Sequence, residues 1–409
     1  MSSNLVSKNC GNVIKSNDFN SFVDQLLLNG IHEVGDSNSP YHILVNNINS
    51  ESNYILVGFH GLLDRKKIIL PAFFFRGVSN KVGISLISFS DPSLNFSENL
   101  SLSWYLGNDK NGNITEKIAN LLDMIITKTG KKLILAGGSG GGFAALNIHN
   151  HMKLGDNAVT FVWNPQTNII KYNLPIIKKY FKICVEDKEN IDLKYIEEEL
   201  IKKNIPYKLK VRNDLQQLIF INGYDHAHLR KHVRPYIINQ EKSKNKVYIG
   251  DWGYGHIQPD QNTIVSVIKS ISENLSFDSI IENIVHPKKT VLNFDENIAK
   301  LESVIDCRVS IIKANPKRII CLKSNLYDHF IGYQSLFLIR NSKGEVVFKS
   351  DYLFGANVCE LYINTSIEKI RTLNDSIVEL QVEDIKGNKK IFDFRFNKIK
   401  ELHDCELKI

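Results

Sequence analysis

The sequence predicts an α/β domain built on a doubly wound, mostly parallel sheet, followed by a small all-β sandwich. Short apolar segments alternate with helical stretches from about residue 40 to residue 275. Several of these segments are unbroken Val/Ile/Leu runs, which are typical of strands covered by helices on both faces. After about residue 306 the chain changes to short segments of alternating polarity separated by turn residues. A length of 409 residues also favours two domains over one.

The first region contains seven predicted strands: Tyr41–Val45, Tyr54–Phe59, Gly83–Ser88, Lys132–Ala136, Ala158–Trp163, Gln217–Ile221 and Lys246–Ile249. Helical periodicity predicts four helices: Asn113–Thr129, Gly141–Met152, Tyr195–Lys203 and Gln261–Leu275. A Lys-rich stretch over residues 167–207 is too long for an ordinary connection between sheet elements. It is interpreted either as an inserted cap or as a pair of surface helices. We therefore expect residues 1–285 to form the α/β domain.

The second region contains seven further predicted strands: Arg308–Lys313, Arg318–Lys323, Tyr333–Arg340, Glu345–Lys349, Val358–Ile363, Ile377–Val382 and Lys390–Phe396. Turn residues such as Asn341–Gly344 and Asp384–Gly387 separate them. This density of short strands predicts a β-sandwich over residues 306–409. Residues 286–305 are then a linker with a short helix.

Composition excludes several classes of protein. Hydrophobic residues make up 43% and charged residues 23%, which is ordinary for a globular chain and unlike a disordered, collagen-like or multi-span membrane protein. The net charge of +7 is spread along the chain, so we expect a solvated surface and no nucleic-acid partner. Six dispersed cysteines without a CxxC pair predict neither a disulfide framework nor a zinc site. The first residues lack the apolar region of a secretory signal, and the longest strongly apolar run, Ile68–Phe75, is far shorter than a membrane span. A cytoplasmic location is the expectation.

The most informative motif surrounds Ser139. An apolar strand leads into Gly137–Gly141, which fits G-x-S-x-G, and an amphipathic helix follows at once. This is the context of a nucleophile elbow, in which the serine occupies a strained turn and glycines allow close approach of the backbone. The N–H of Gly140 is then one expected oxyanion donor. A phosphate loop is disfavoured because no Lys-Ser or Lys-Thr follows, and a dinucleotide fingerprint would have to begin inside the helix.

An activated serine needs a base and a group that orients the base. Asp225 follows one late strand and His256, flanked by glycines, follows the next, in the chain order that such sites use. We therefore predict a Ser139–Asp225–His256 triad. Asp251 or Asp214 remains an alternative acid.

Three more histidines, His226, His228 and His232, lie close to the predicted acid. His226 or His232 is an alternative base, and His226 and His228 are expected to line the pocket. Such a cluster sometimes binds metal, but this spacing would need an added carboxylate, so no metal is expected.

The second oxyanion donor should come from the loop after an early strand. Strand Tyr54–Phe59 is followed by His60, Gly61 and Leu62, a shortened form of the HGGG arrangement. The N–H of Gly61 or Leu62 is the expected donor, and His60 is either a pocket residue or a structural one.

Five more residues are candidates for substrate binding: Arg65, Arg76, Trp104, Asn164 and Gln166. The two arginines could hold an acidic group by bidentate hydrogen bonds or could be structural. Trp104 either stacks on a sugar or fills the core. Asn164 and Gln166 follow the end of a strand, where open α/β sheets bind ligands, although an ordinary turn fits as well.

Together these motifs resemble the α/β-hydrolase superfamily over roughly residues 40–275. Within it, the segments Phe59–Gly61, Ser90–Pro92, Gly138–Ala145, Asn164–Gln166 and Asp225–His226 are similar to a bacterial branch linked to capsular polysaccharide biosynthesis. They are also similar to accessory-Sec proteins that O-acetylate glycans. The resemblance implies acyl-ester chemistry on a carbohydrate, whereas the spacing alone indicates a serine nucleophile.

The sequence therefore predicts a serine acyltransferase or carboxylic-ester hydrolase acting on a glycan, without a bound cofactor and with acetyl-CoA as a possible acyl donor. The motifs do not distinguish an O-acetyltransferase from an acetylesterase. The alternative is a catalytically idle scaffold subunit of a polysaccharide-assembly complex. In either case the C-terminal domain could bind polysaccharide-assembly proteins.

Overall fold

The computed structural model describes residues 13–36, 39–237, 244–253 and 255–284, and, in the C-terminal region, 307–314, 317–324, 334–350, 353–354, 360–365, 373, 376–383, 387–395 and 400–402. The predicted linker over residues 286–305 lies outside these ranges. Among the described residues, no helix combines the length and the apolar character needed to cross a lipid bilayer.

A nine-stranded sheet forms the centre of the first region. Its strands are β1 (Val13–Ser16), β2 (Gly30–Val34), β3 (Tyr41–Asn46), β4 (Tyr54–Phe59), β5 (Ser85–Ser90), β8 (Lys132–Gly138), β9 (Ala158–Trp163), β10 (Gln216–Asn222) and β11 (Lys246–Gly250), and β6 (Gly107–Asn108) pairs with β7 (Gly112–Asn113) apart from it. The order in the sheet is β1-β2-β3-β5-β4-β8-β9-β10-β11. Strand β3 is antiparallel to both of its neighbours, and all other pairs are parallel. The carboxyl ends of β4, β8, β9, β10 and β11 therefore meet at one edge of the sheet.

Helices cover both faces of this sheet. They are α1 (Phe19–Asp24), α2 (Arg76–Val82), α3 (Ile114–Thr129), α4 (Gly140–His151), α5 (Leu174–Cys184), α6 (Leu193–Lys202), α7 (Gln261–Ser272) and α8 (Phe277–Ile284). Short 3-10 turns occupy Pro92–Phe96, Gly155–Asn157 and Ile169–Lys171, and a helical segment runs through His226–His228, a π-helical Leu229–Val233 and Arg234–Ile237. Strand β4 shows the two-sided burial, because Ile55 and Val57 join one apolar cluster while Tyr54 and Leu56 join another. This arrangement confirms the predicted doubly wound sheet.

Each strand predicted for the first region is present, with ends shifted by at most two residues. The largest shift is at the strand predicted over Gly83–Ser88, which is Ser85–Ser90. Strands β1 and β2 and helices α1, α2 and α8 were not predicted. Each is eight residues or shorter, which is less than the window over which periodicity identifies an element. The stretch over residues 167–207 holds α5 and α6.

The C-terminal region forms two sheets. One has the order β17 (Glu360–Thr365), β13 (Lys317–Ser324), β12 (Cys307–Ala314) and β20 (Lys400–Leu402), and the other has β15 (Val346–Lys349), β14 (Gln334–Arg340), β18 (Ile377–Glu383) and β19 (Lys389–Arg395), with β16 (Leu353–Phe354) beside β14. Alternate side chains are buried along most of β18, including Val378 and Leu380. These two residues share one apolar cluster with Leu322 of the first sheet and with Phe337 of the second. Two sheets that share one apolar cluster confirm the predicted all-β sandwich.

Within the described parts of the chain, a polar contact joins the two regions. The Arg234 guanidinium donates to a carboxylate oxygen of Glu383, whose other oxygen accepts from Gln334 Nε2 at 2.6 Å. Arg234 belongs to the helical segment that follows Asp225, so the sandwich contacts the element that continues from the predicted acid.

Candidate active site

Ser139 lies between the end of β8 and the start of α4. Its backbone has φ 53° and ψ −116°, a conformation that costs about 1–3 kcal/mol and that surrounding contacts must enforce. Those contacts include the Ser139 N–H donating to Trp163 O at 3.0 Å and the Gln166 N–H donating to Ser139 O at 3.2 Å. The strained, partly exposed serine at the strand-to-helix turn has the geometry predicted for a nucleophile elbow.

Glycines let the elbow pack against the loop after β4. A Cβ added at Gly141 would lie 2.4 Å from Phe59 O, and one added at Gly61 would lie 3.7 Å from the backbone nitrogen of Gly140. The Gly61 and Leu62 N–H groups have no acceptor among the described residues, and the Gly140 N–H is free at the N-terminus of α4. The predicted oxyanion donors are therefore neighbours and are available to a ligand.

Asp225 and His256 are joined by a hydrogen bond. Asp225 is 3% exposed, and one of its oxygens accepts from His256 Nδ1, whose side chain is 45% exposed. The second oxygen accepts from His228 Nδ1 at 3.0 Å and from the His228 N–H at 3.3 Å. Burial by itself would raise the pKa of Asp225, but the hydrogen bonds from His228 and His256 outweigh it and hold that pKa below its ordinary value. Asp225 is thus an ionised acceptor shared by two imidazoles.

Two asparagines hold the loop that carries His256. Asn222 Nδ2 donates to Gly253 O at 2.7 Å and to Gly255 O at 2.8 Å. Asn164 Nδ2 donates to Ile257 O at 2.8 Å, and its Oδ1 accepts from the Asn222 N–H at 2.7 Å. Asn164 is 1% exposed and both of its amide atoms are occupied, so it holds the loop. This placement differs from the ligand contact that its position after a strand had suggested.

Gln166 contacts the serine directly. Its Nε2 donates to Ser139 Oγ at 3.2 Å, and its Oε1 accepts from Trp104 Nε1. Within the described residues no hydrogen bond joins Ser139 Oγ to the His256 imidazole. Trp104 is fully buried, so it has no face on which a sugar could stack, and the core-filling alternative is the one observed.

The remaining candidates have structural surroundings. Arg65 Nη1 donates to Leu94 O at 3.1 Å and to Leu100 O at 2.8 Å, and its Nε is buried, so neither edge of the guanidinium is open for a bidentate bond to an acidic ligand. Arg76 is exposed in the first turn of α2 and makes no contact with the site among the described hydrogen bonds and ion pairs.

His60 is also structural. It is 3% exposed, and its Nδ1 donates to Gly61 O at 2.8 Å while Nε2 accepts from the Asp91 N–H at 3.2 Å. Burial lowers the pKa of His60 to about 4 and keeps the ring neutral. His60 therefore orients the loop that offers the Gly61 N–H.

The histidine cluster differs from its predicted role. His228 is 5% exposed and stacks on the His256 ring, with centroids 4.1 Å apart and planes at 18°, so it lies behind the base rather than in an open pocket. His232 is buried, and its Nδ1 accepts from the Thr167 N–H at 3.4 Å. The side chain of His226 lies outside the described residues.

The alternative acids lie elsewhere. Asp214 forms a bidentate pair with Arg212, and Asp251 is exposed. Neither contacts a histidine among the described hydrogen bonds.

Asp225, His228 and His256 also bring possible metal-ligand atoms within 4.8 Å of one another. The two imidazole planes are nearly parallel, so their in-plane lone pairs do not converge on a point between the rings. Both Nδ1 atoms are also occupied by Asp225. These contacts fit a carboxylate shared by two imidazoles better than a metal centre.

The sheet order, the serine turn after β8, and the acid and histidine after β10 and β11 define the α/β-hydrolase fold. Similar solved structures include the capsule O-acetyltransferase of Neisseria meningitidis serogroup A, at 17% identity over 61% of this chain and 96% of that chain, with a TM-score of 0.42. An S-formylglutathione hydrolase from Agrobacterium tumefaciens matches at 12% identity over 60% and 92% of the two chains, with a TM-score of 0.39. A poly(3-hydroxybutyrate) depolymerase from Bordetella parapertussis matches at 12% over 64% and 98%, with a TM-score of 0.36. No protein-family model and no curated protein matches the sequence.

Proposed function

We propose that this protein is a serine-dependent enzyme that transfers or hydrolyses an acyl ester on a glycan. The observation that carries the proposal is the meeting, at one edge of the sheet, of a strained serine turn and a buried Asp225 bonded to His256. A strained, partly exposed serine beside free backbone N–H groups is suited to nucleophilic attack on a carbonyl carbon.

The proposed reaction begins with attack of Ser139 Oγ on the acyl carbonyl. In the neutral tautomer whose Nδ1 donates to Asp225, Nε2 of His256 is the nitrogen that takes the hydroxyl proton as the new C–O bond forms. The N–H groups of Gly140 and of Gly61 or Leu62 stabilise the oxyanion, and His256 returns the proton to the departing group. A sugar hydroxyl or water then attacks the acyl-enzyme by the same steps in reverse.

His256 has to approach Ser139 for this transfer. Catalytic hydrogen bonds are commonly long in unliganded enzymes and tighten in the complex. The position of His256 on a loop that contains Gly253 and Gly255 is compatible with such an approach. Its 45% exposed side chain also leaves the base open to a large acceptor.

The glycan in this proposal rests on the sequence motifs. The segments around Ser90–Pro92 and Asn164–Gln166 are similar to those of proteins that modify capsular or surface polysaccharides. The expected reaction is O-acetyl transfer or removal in the cytoplasm, with acetyl-CoA as a candidate donor and no bound cofactor. The sandwich would then contact the polymer or other assembly proteins.

Purified protein and Ser139→Ala test the proposal when both are incubated with 4-nitrophenyl acetate, with and without acetyl-CoA and bacterial polysaccharide. We expect the substitution to lower acetate release roughly a thousandfold or more. Acetyl transfer to polysaccharide in excess of hydrolysis would identify a transferase. Equal release by the two proteins would reject the enzyme and favour the idle scaffold.

A further inference from the structure

We infer that His228 is a positioning residue for this reaction. It holds the Asp225 carboxylate at the oxygen that His256 does not use and supports one face of the His256 ring. The inference rests on the proposed function and names a residue that acts through the acid and the base.

The first contact is with the acid. His228 donates from Nδ1 and from its backbone N–H to the Asp225 oxygen that His256 does not use. A carboxylate held at both oxygens cannot rotate about its terminal torsion without breaking one of these bonds. The oxygen that orients His256 therefore keeps its direction while the base gains and loses a proton.

The second contact is with the base. The His256 loop includes Gly253 and Gly255, both with positive φ, and the His256 side chain is 45% exposed. Stacking of the buried His228 ring at 4.1 Å restricts the movement of the His256 ring toward that side. A ring on a glycine-containing loop needs such support to keep its approach to Ser139 productive.

His228 serves this purpose only while it is neutral, since a charged ring would repel the imidazolium formed on His256. Burial lowers the pKa of His228 in spite of the Asp225 carboxylate, and His256 and Lys231 act in the same direction as burial. The His232 and Tyr172 rings also face it, at centroid distances of 5.2 Å and 6.2 Å. Its Nε2 is buried and has no hydrogen-bond partner among the residues that the structure describes, as expected for a neutral ring protonated on Nδ1.

Two substitutions separate the two contacts. His228→Asn keeps an N–H donor near the position of Nδ1 and removes the ring, whereas His228→Phe keeps a flat ring and removes the donor. Each variant is compared with the wild type and with His149→Phe, a buried histidine on α4 that bonds Gly155 O and Thr160. With 4-nitrophenyl acetate, kcat, KM and the pH profile of kcat/KM are measured. A fluorophosphonate probe counts the reactive serine, and a thermal melt reports stability.

His228→Phe is expected to lower kcat by roughly 10- to 100-fold, part of the 10²–10⁴ that a general base contributes, with KM within about twofold. The acidic limb of its pH profile should move to higher pH, because an Asp225 deprived of this donor is a stronger partner for protonated His256. His228→Asn should keep the acidic limb at the wild-type pH and should lose less activity than His228→Phe. His149→Phe should lower the melting temperature and leave the profile unchanged.

A wild-type kcat and pH profile in His228→Phe would overturn the inference. The inference would also be overturned if both His228 variants lost kcat only in proportion to their fall in melting temperature and the acidic limb of the pH profile did not move. In these cases the proposed function stands as long as the wild type is active and Ser139→Ala is not. An inactive wild type would reject the proposed function, and the inference with it.

Discussion

The indole N–H of Trp104 donates to Gln166 Oε1 at 2.5 Å, and this contact fixes which end of the Gln166 amide faces the serine. With Oε1 held, Nε2 is left to donate to Ser139 Oγ at 3.2 Å. Both the Trp104 and the Gln166 side chains are fully buried. Ser139 Oγ is thus the acceptor in this contact, and in the proposed reaction its own proton remains available to His256. A donor on Oγ also stabilises negative charge that develops there during attack.

We therefore expect Gln166→Leu to lower kcat/KM by about tenfold or more, because the attacking oxygen loses a hydrogen bond worth roughly 1–2 kcal/mol. The same change leaves the Trp104 N–H buried and unpaired, which should lower the free energy of unfolding by about 1–3 kcal/mol. Ester hydrolysis is measured well below the melting temperature and normalised to serine labelled by a fluorophosphonate.

Trp104→Phe is the comparison, since it keeps an aromatic ring in the core and removes the indole donor. The smaller ring also leaves a cavity, so its activity is likewise measured well below its melting temperature. Gln166 then loses its anchor and keeps its own donor, so the expected fall in kcat/KM is smaller. Unchanged kcat/KM in Gln166→Leu would show that the contact with Ser139 is incidental to the reaction.

A second prediction concerns the loop of His256. Asn222→Asp is nearly isosteric, but it replaces the amide that donates to Gly253 O and Gly255 O with an acceptor that repels both carbonyls. We expect kcat to fall about 100-fold or more, because misplacing the base by an ångström has effects of that order. Limited proteolysis should cut the loop over residues 251–258 faster than in the wild type.

Asn150→Asp is the control for that change. Asn150 Nδ2 donates to Lys210 O at 2.8 Å, remote from the residues of the site. Its replacement removes a similar bond and should leave kcat and the rate of loop cleavage close to wild type. Equal effects of the two substitutions would show that general destabilisation explains the loss.

The parts of the site that local pattern determines could be predicted from sequence. The elbow around Ser139 depends on neighbouring glycines and on a strand followed by a helix, and Asp225 and His256 follow from their places after the last two strands. Trp104 and Gln166 are 62 residues apart, and their partnership arises only when the loop before α3 folds over the end of β9. The position of Gln166 after a strand had suggested substrate binding, but it did not identify Ser139 as the hydrogen-bond partner.

The direction in which a side chain points could not be predicted in the same way. His228 lies three residues after Asp225, and the helical turn between them places its ring behind the acid rather than in the pocket. Arg65 Nη1 donates to backbone carbonyls of a segment about 30 residues later in the chain. Such contacts depend on tertiary packing, which the type of a residue alone does not determine.

A third prediction concerns the pH dependence of stability. Asp91 is 1% exposed and accepts from the Tyr105 N–H at 2.7 Å and the Ser93 N–H at 3.1 Å, and burial raises the pKa of Asp91 to about 6. Since this pKa lies above the unfolded value of 3.8, its contribution to stability is fully present below about pH 4 and is lost as the pH rises through 6. The loss amounts to about 3 kcal/mol by pH 7.

Asp91→Asn should therefore be less stable than the wild type at pH 4, because its amide offers one acceptor where the carboxyl has two oxygens. The difference in the free energy of unfolding between the two proteins should shrink by about 3 kcal/mol between pH 4 and pH 7. Urea unfolding at pH intervals of half a unit measures it, with the exposed Asp251→Asn as a control. A constant difference across this range would contradict the burial argument.

The last prediction concerns the contact between the elbow and the oxyanion loop. A Cβ at Gly141 would lie 2.4 Å from Phe59 O and 2.8 Å from the carbonyl carbon of His60. Both are backbone atoms, so the strand end has to move, and we expect Gly141→Ala to lower the free energy of unfolding by about 1–3 kcal/mol. The displaced loop also carries the Gly61 N–H, so kcat should fall about 100-fold, as for loss of one oxyanion donor. Gly77→Ala is the matched control. Gly77 lies within α2, and a Cβ added there would come no closer than 3.7 Å to the Gln261 side chain. That variant should gain roughly 0.5–1 kcal/mol and keep the wild-type kcat. If Gly141→Ala lost stability but kept its kcat, the Gly61 loop would not be the source of the second donor.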